Sequence, residues 1–365
     1  MTAAAIICEY NPFHEGHRHQ LRQLRARLGP EAALVCLMSG NYVQRGEPAV
    51  YDKWARAHEA LSGGADLVLE LPLTGALHSA GRFADMGVDC IRALGTVDYL
   101  SFGSEAGDEA ALLEAARLLG SPEFGSALRE TLGTGISYPA ARQRALVALG
   151  GDGSLLASPN SALGIEYLRR LLETGSPIRP IVIRREAGMP SATALRETLR
   201  RENAPIHTLE HGERAILAIL RTLPDEAFQN APFGSEGLWS KVMKACRREA
   251  SLEGILAACK SKRYTMSRLK RMLLCLYLGL SGEDMDRPVP YLRVLSFNDR
   301  GRALLRTCKE TASLPLITGD VPDTPEARAY FALECRATDL YTLCSPPGAS
   351  TTAGMERIRG PVKRI

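Results

Sequence analysis

The chain has 365 residues, 45% hydrophobic and 24% charged, the make-up of an ordinary globular protein with material for more than one domain. Its formal net charge of +4 is too small to name a partner, and its nine cysteines, no two of them separated by two residues, exclude a zinc ribbon or a thioredoxin-type motif. A strand pattern follows almost directly on Met1 and the longest strongly apolar run is 272–280, so neither a signal peptide nor a membrane span is expected and a reducing cytoplasm fits best.

"AAAIICEY" reads as a buried strand, and "GHRHQLRQLRARLG" as a helix with Leu21, Leu24 and Leu28 on one face. "ALVCLMSG" is a second strand. Asp52 caps the helix "KWARAHEAL", and "DLVLELP" forms a third strand. A helix over 82–94 and the strand "VDYLSFGSE" follow. This alternation predicts an α/β fold, a Rossmann-like parallel sheet covered on both faces. Residues 108–150 look helical throughout, an insertion packed on that sheet. "SPNSALGIEYLRRLLETG" opens with a serine cap and a proline at the first helical position. "PIRPIVIRRE" adds a strand, and "SATALRETLRRE" a helix that Ser191 caps. Beyond Asn203 the strand signals mostly vanish. The pattern predicts a nucleotide-binding domain over 1–204, an α-helical C-terminal domain over 205–344 and a flexible tail over 345–365, where Pro, Ser, Thr and Gly accumulate.

The stretch "EYNPFHEGH" sets His14 and His17 three residues apart around Gly16. In a doubly wound sheet this segment lies beyond the carboxyl end of the first strand, at the head of the next helix, where ligands bind. Free backbone N–H groups and the helix dipole favour an anion there, and both imidazoles can donate to phosphate oxygens. Gly16 leaves room for a base or ribose against the backbone. Donors so placed would stabilise charge developing at an α-phosphate under attack. No metal site is expected, because no cysteine or third histidine stands at ligand spacing and Glu15 would point away. "SATALR" makes a second anion-binding construction, with the hydroxyls of Ser191 and Thr193 at a helix start and Arg196 one turn on.

Together the two motifs resemble the histidine-motif nucleotidyltransferase superfamily, which attacks the α-phosphate of ATP and releases pyrophosphate. The resemblance goes further. "EYNPFHEGH", "MSGNYVQRGEPAVYDKWAR", "GADLVLELP", "FGSEAGD", "SPNSALGIEYL" and "KSKRYTMSRLKRMLL" occur in this order, and they look like the bacterial tRNA(Met) cytidine acetate ligase family. That resemblance implies a two-step reaction. ATP and acetate give acetyl-adenylate, and the acetyl group then passes to the exocyclic amine of the wobble cytidine of elongator tRNA(Met). Elongator tRNA(Met), acetate and ATP, with magnesium, are therefore the implied partners, and no protein partner is implied. Acetate is a poor acyl donor, and adenylation supplies the leaving group it lacks. No acyl-enzyme nucleophile stands out, so direct transfer is the simpler expectation.

Carried over residue by residue, the resemblance assigns ATP binding to Ile7, Cys8, Glu9, Tyr10, Asn11, Pro12, Phe13, His14, Glu15, Gly16, His17, Arg18, His19 and Gln20, with His14 and His17 as the catalytic pair. Gly103 would let the nucleotide approach the strand end, Asn160 would hydrogen-bond it, and Arg185, or its neighbour Arg184, would neutralise phosphate. Ser191, Thr193 and Arg196 complete the set. The link "EAGMP" before "SATALR" is shorter than the family pattern.

Ten basic residues and only two acidic ones fall between Lys241 and Arg271, a local balance of +8 against +4 for the whole chain. Such a stripe reads as a phosphate-tracking surface for RNA. Lys260, Lys262, Arg263, Arg268, Lys270 and Arg271 are its candidate contacts, Arg45 and Lys53 after the second strand could bind phosphates or tRNA near the same sheet edge as the nucleotide, and Tyr264 could stack on a base of the anticodon loop. Two other readings remain open: a small-molecule adenylyltransferase, which has no use for a basic helical domain, and a catalytically idle tRNA-binding protein.

Overall fold

The structure is a computed structural model that describes residues 1–185, 188 and 191–363. Ten strands run in chain order: β1 (Ala3–Cys8), β2 (Ala33–Ser39), β3 (Tyr42–Val43), β4 (Glu47–Pro48), β5 (Leu67–Leu71), β6 (Tyr99–Ser104), β7 (Arg179–Arg184), β8 (Leu292–Phe297), β9 (Leu316–Ile317) and β10 (Val362–Lys363). The main sheet has the order β10-β8-β5-β2-β1-β6-β7, with β9 beside β8, while β3 and β4 pair as a separate small hairpin. From β5 to β7 every pairing is parallel, and β8 lies antiparallel to β5.

Strands buried on both faces need side chains that are apolar on both faces, and β1 (AAAIIC) and β2 (ALVCLMS) have no exposed residue. Ala3, Ala5 and Ile7 meet the core under the helix Ala80–Ala93, and Ala4, Ile6 and Cys8 meet the one under the helices Glu15–Leu28 and Lys53–Ser62. The order places a topological switch between β1 and β6, because the chain leaves β1 for β2 on one side and returns to β6 on the other. Crevices at such points hold ligands.

The segment expected as a helical insertion forms the helices Glu109–Leu119, Pro122–Gly133 and Tyr138–Ala148. Leu112, Ala116, Phe124 and Leu146 carry them onto the core of the main sheet.

The C-terminal part departs from expectation. The helices Glu213–Thr222, Leu238–Arg248, Leu252–Cys259 and Met266–Leu278 form a layer around Ile216, Val242, Ile255 and Met272. The chain then returns to the sheet as β8, inside the span 205–344 expected to be helical. Arg293 interrupts the apolar run "YLRVLSF" and hides the strand in the sequence. In the fold Arg293 is buried and ion-paired with Glu334 and Glu356.

The tail also differs from the flexible segment expected over 345–365. Its short helix Met355–Ile358 inserts Glu356, 3% exposed, beside Lys53 at 2.7 Å, and β10 joins the sheet edge along β8. Among the described residues no helix is long and apolar enough to cross a membrane.

Candidate active site

The helix Glu15–Leu28 begins at the switch point, and its head is built by the two histidines themselves. His14 is the N-cap in extended conformation, and its Nδ1 accepts from the Gly16 N–H at 3.1 Å. His17, one turn on, accepts from the His14 N–H through its own Nδ1 at 3.3 Å. The pair thus forms a reciprocal capping box of a kind usually made by a hydroxyl and a carboxylate. The backbone N–H groups of His14 and Gly16, expected to be free for an anion, are therefore already taken by the rings.

This arrangement fixes the chemistry of the rings. An Nδ1 that accepts from a backbone N–H cannot carry a proton, so each neutral imidazole carries its hydrogen on Nε2. The rings stack with centroids 3.7 Å apart and 28° between planes, and Tyr10 lies 4.6 Å from His17. Burial holds the pKa of His17 well below the ordinary histidine value, helped by His14 and then by Arg185. Burial and then Arg185 lower that of His14. Two neutral rings can stack where two imidazolium ions would repel, and each presents one Nε2–H donor.

Arg185 follows β7, and its backbone N–H donates to Ser104 O at 3.1 Å. A Cβ on Gly103 would lie 3.5 Å from the Arg185 Cγ, so the arginine stem passes over that glycine. Arg184 instead packs under Gly107, where φ is +67° and a Cβ would lie 2.9 Å from its side chain. Of the two arginines, Arg185 is the one within electrostatic reach of both histidines.

The rest of the run 7–20 divides by role. Ile7, Cys8, Tyr10, Asn11 and Pro12 are buried, the Tyr10 hydroxyl lies 3.3 Å from Cys36 Sγ, and Asn11 Oδ1 accepts from the Val50 N–H at 2.7 Å. Their side chains hold the loop in place at the head of the helix. Phe13 packs on Gly63, Arg18 lies over the Phe13 ring and reaches Ser62 O, and Glu15 pairs with Arg18 and Arg22. His19 is half-buried on the same helix, and Gln20 donates to Ser101 Oγ on β6. The Glu9 carboxylate accepts from the Gln44 N–H at 2.7 Å.

Asn160 donates to Glu105, whose other oxygen accepts from the backbone and hydroxyl of Ser161. Asn160 and Glu105 thus brace the end of β6 together. The Ser191 Oγ caps its helix by accepting from the Ala194 N–H, and Thr193 accepts from Arg196. Arg196 reaches across to Asn11 O at 2.7 Å and so brings the late helix Ala192–Arg201 to the first loop. The link 186–190 lies, apart from Gly188, outside the described residues.

Two expected RNA contacts, Lys53 and Tyr264, are corrected by their burial, and two more, Arg268 and Arg271, are half-buried and engaged within the protein. Lys53 is 1% exposed and held by Glu70 and Glu356, so it belongs to the interior. Tyr264 is 8% exposed, and its hydroxyl donates to Glu236 O. Arg268 clamps the turn 233–236 through Phe233 O, Ser235 and Glu236. Arg271 lies over the Phe233 ring and donates to Gln44 O, and burial lowers its pKa to about 10. Lys270 pairs with Glu47. Arg45, Lys260, Lys262 and Arg263 are exposed.

Sequence reasoning missed Arg56, whose fully buried guanidinium donates to Glu9 O, Ser39 O and Gly40 O and ties the loops after β1 and β2 together. A charged residue on the inner face of the amphipathic run "KWARAHEAL" was its signal.

Comparison with known proteins shows a likeness over the full length of the chain. A family model described as HIGH Nucleotidyl Transferase matches residues 1–211 and 188–356. The tRNA(Met) cytidine acetate ligase of Acetivibrio thermocellus is 34% identical over 409 residues, covering 98% of each chain. That of Caldanaerobacter subterraneus subsp. tengcongensis is 36% identical over 386 residues, covering 94% of this chain and 95% of its own. The crystal structure of Thermotoga maritima TmcAL bound with alpha-thio ATP superposes with a TM-score of 0.91 at 31% identity, covering 100% of this chain and 99% of that one. On this full-length likeness, joined to a paired-histidine helix head at the switch of a parallel sheet, the chain belongs to the tRNA(Met) cytidine acetate ligase family.

Proposed function

We propose that this chain activates acetate with ATP and acetylates the wobble cytidine of elongator tRNA(Met), forming N4-acetylcytidine. In the first step an acetate oxygen attacks the α-phosphorus, the bond to the β-phosphate oxygen breaks, and pyrophosphate leaves. In the second the cytidine amine attacks the acetyl carbonyl and AMP departs. One observation carries the reading: two stacked neutral histidines present Nε2–H donors beside Arg185 at the mouth of the β1/β6 crevice. Aimed at an α-phosphate, such donors stabilise the transition state by about 3 kcal/mol each. Arg185 offsets the charge of the leaving pyrophosphate.

Among the described residues no group of three His, Cys, Asp or Glu could hold a metal ion. Magnesium would therefore arrive on the triphosphate, with water completing its shell. Arg45, Lys260, Lys262 and Arg263 are the exposed cations offered to the tRNA backbone. The nine buried, unpaired cysteines suit a reducing cytoplasm.

The test incubates the protein with ATP, labelled acetate and elongator tRNA(Met) and examines the nucleosides by mass spectrometry. N4-acetylcytidine is expected, with acetate-dependent pyrophosphate exchange in the absence of tRNA. Exchange with no acetylated cytidine would favour the small-molecule adenylyltransferase. Binding of tRNA with neither activity would favour the idle binding protein.

A further inference from the structure

The acetyl-transfer step needs a proton acceptor. The lone pair of a cytidine amine is delocalised into the ring, so attack on the acetyl carbonyl gives an N–H⁺ intermediate that must lose a proton before AMP leaves. The acids around the strand ends differ in how far they are committed. Glu15 is exposed and pairs with Arg18 and Arg22, Glu47 pairs with Lys270, and Glu105 spends both oxygens on Asn160 and Ser161. Glu9 stands apart. It directly follows β1, its Oε1 is fixed by the Gln44 N–H, and it lies where the loops after β1 and β2 meet the late helix.

The groups within electrostatic reach of Glu9 are Arg196 from the helix Ala192–Arg201, Arg56 from the helix Lys53–Ser62, Arg45 from the turn between β3 and β4, and Tyr167 from the helix Pro159–Glu173. The Tyr167 hydroxyl, within electrostatic reach of Glu9, is buried and has no hydrogen-bond partner among the described residues, which marks a place for a polar ligand or a water. Exposed Arg45 stands at the outer edge of this group, where the RNA backbone would arrive.

Resting on the acetyl-transfer reading, we propose that Glu9 is the catalytic base that takes the N4 proton as the cytidine amine attacks acetyl-adenylate. The C–N bond forms, the bond from the acetyl carbon to the AMP phosphate oxygen breaks, the proton moves from N4 to the Glu9 carboxylate, and it then passes to solvent. Burial raises the Glu9 pKa even against Gln44 and the three arginines, which makes it a stronger base than an open carboxylate.

The experiment separates the two steps. Glu9→Gln keeps an acceptor for the Gln44 N–H. It is expected to slow single-turnover acetyl transfer to tRNA about 100-fold or more beyond whatever change it makes in acetate-dependent ATP–pyrophosphate exchange. The acid limb of the transfer rate should vanish in Glu9→Gln, and Glu9→Asp should restore transfer about tenfold over Glu9→Gln. Normal transfer in Glu9→Gln, or equal loss of exchange and transfer, overturns the role of Glu9 and leaves the overall reaction standing. Absence of exchange in the wild-type protein overturns the reaction itself and this role with it.

Discussion

Replacing Lys53 with methionine tests the buried ion network that anchors the tail. The Lys53 Nζ contacts Glu70 at 2.9 and 2.7 Å and Glu356 at 2.7 Å, all in the interior. Burial works against its charge, yet Glu356 and Glu70 hold its pKa above the ordinary lysine value. Without the ammonium, the cation left among the described residues for Glu70 and Glu356 is Arg293, at 3.7 and 3.2 Å, which also serves Glu334. Leaving buried carboxylates uncompensated costs about 3–5 kcal/mol, a large part of the roughly 5–15 kcal/mol that holds a domain folded. In urea melts followed by circular dichroism, Lys53→Met should lose about that much, and Lys262→Met, at an exposed site, no more than about 0.5 kcal/mol. Adding Glu356→Gln to Lys53→Met should recover at least about 1 kcal/mol, since it removes one stranded charge. A loss under about 1 kcal/mol for Lys53→Met, with no recovery in the double variant, would refute the buried network.

Other outcomes follow from the same geometry. Burial and Glu70 raise the Glu334 pKa to about 7 from an ordinary 4.5. The unfolded chain thus releases that proton first as pH rises, and stability should fall by about 3 kcal/mol between pH 4.5 and 7, a slope that Glu334→Gln should flatten in melts taken across that range. Both histidines have pKa values below the ordinary 6.5, so the acid limb of pyrophosphate exchange should lie below pH 6.5; a limb above it would contradict the neutral pair. A Cβ on Gly103 meets only ordinary contacts with Arg185, so Gly103→Ala should leave stability within about 0.5 kcal/mol while raising KM for ATP. Lys262→Ala with Arg263→Ala should weaken tRNA binding and flatten its salt dependence by roughly 1.5 in log–log slope, with acetate-dependent exchange unchanged.

The histidine pair was legible because spacing of three at a strand-to-helix junction has few physical uses, and the geometry puts both rings where that reasoning put them. Their capping of each other was not legible, because hydroxyls and carboxylates usually fill that role. The parallel sheet showed through its apolar runs, whereas β8 was masked by Arg293. Glu70 in "DLVLELP" and Arg293 in "YLRVLSF" break apolar strands in the same way, and each has buried partners of opposite charge in the fold. Lys53 and Tyr264 turn inward and Arg268 and Arg271 are half-buried, which the sequence did not show. Charge or aromaticity in a basic run does not reveal which side chains turn inward, and Arg268 spends its guanidinium on the turn 233–236, where Phe233 and Glu236 have positive φ. The tail misled through composition, since Glu356 carries it into the interior and β10 pairs with β8.

A crystal structure of this protein with a non-hydrolysable ATP analogue bears most directly on the central claim. Phosphate oxygens should accept hydrogen bonds from the Nε2 atoms of His14 and His17, with the Arg185 guanidinium beside the β- and γ-phosphates. A triphosphate bound elsewhere, with both rings in contact with water alone, would contradict the account.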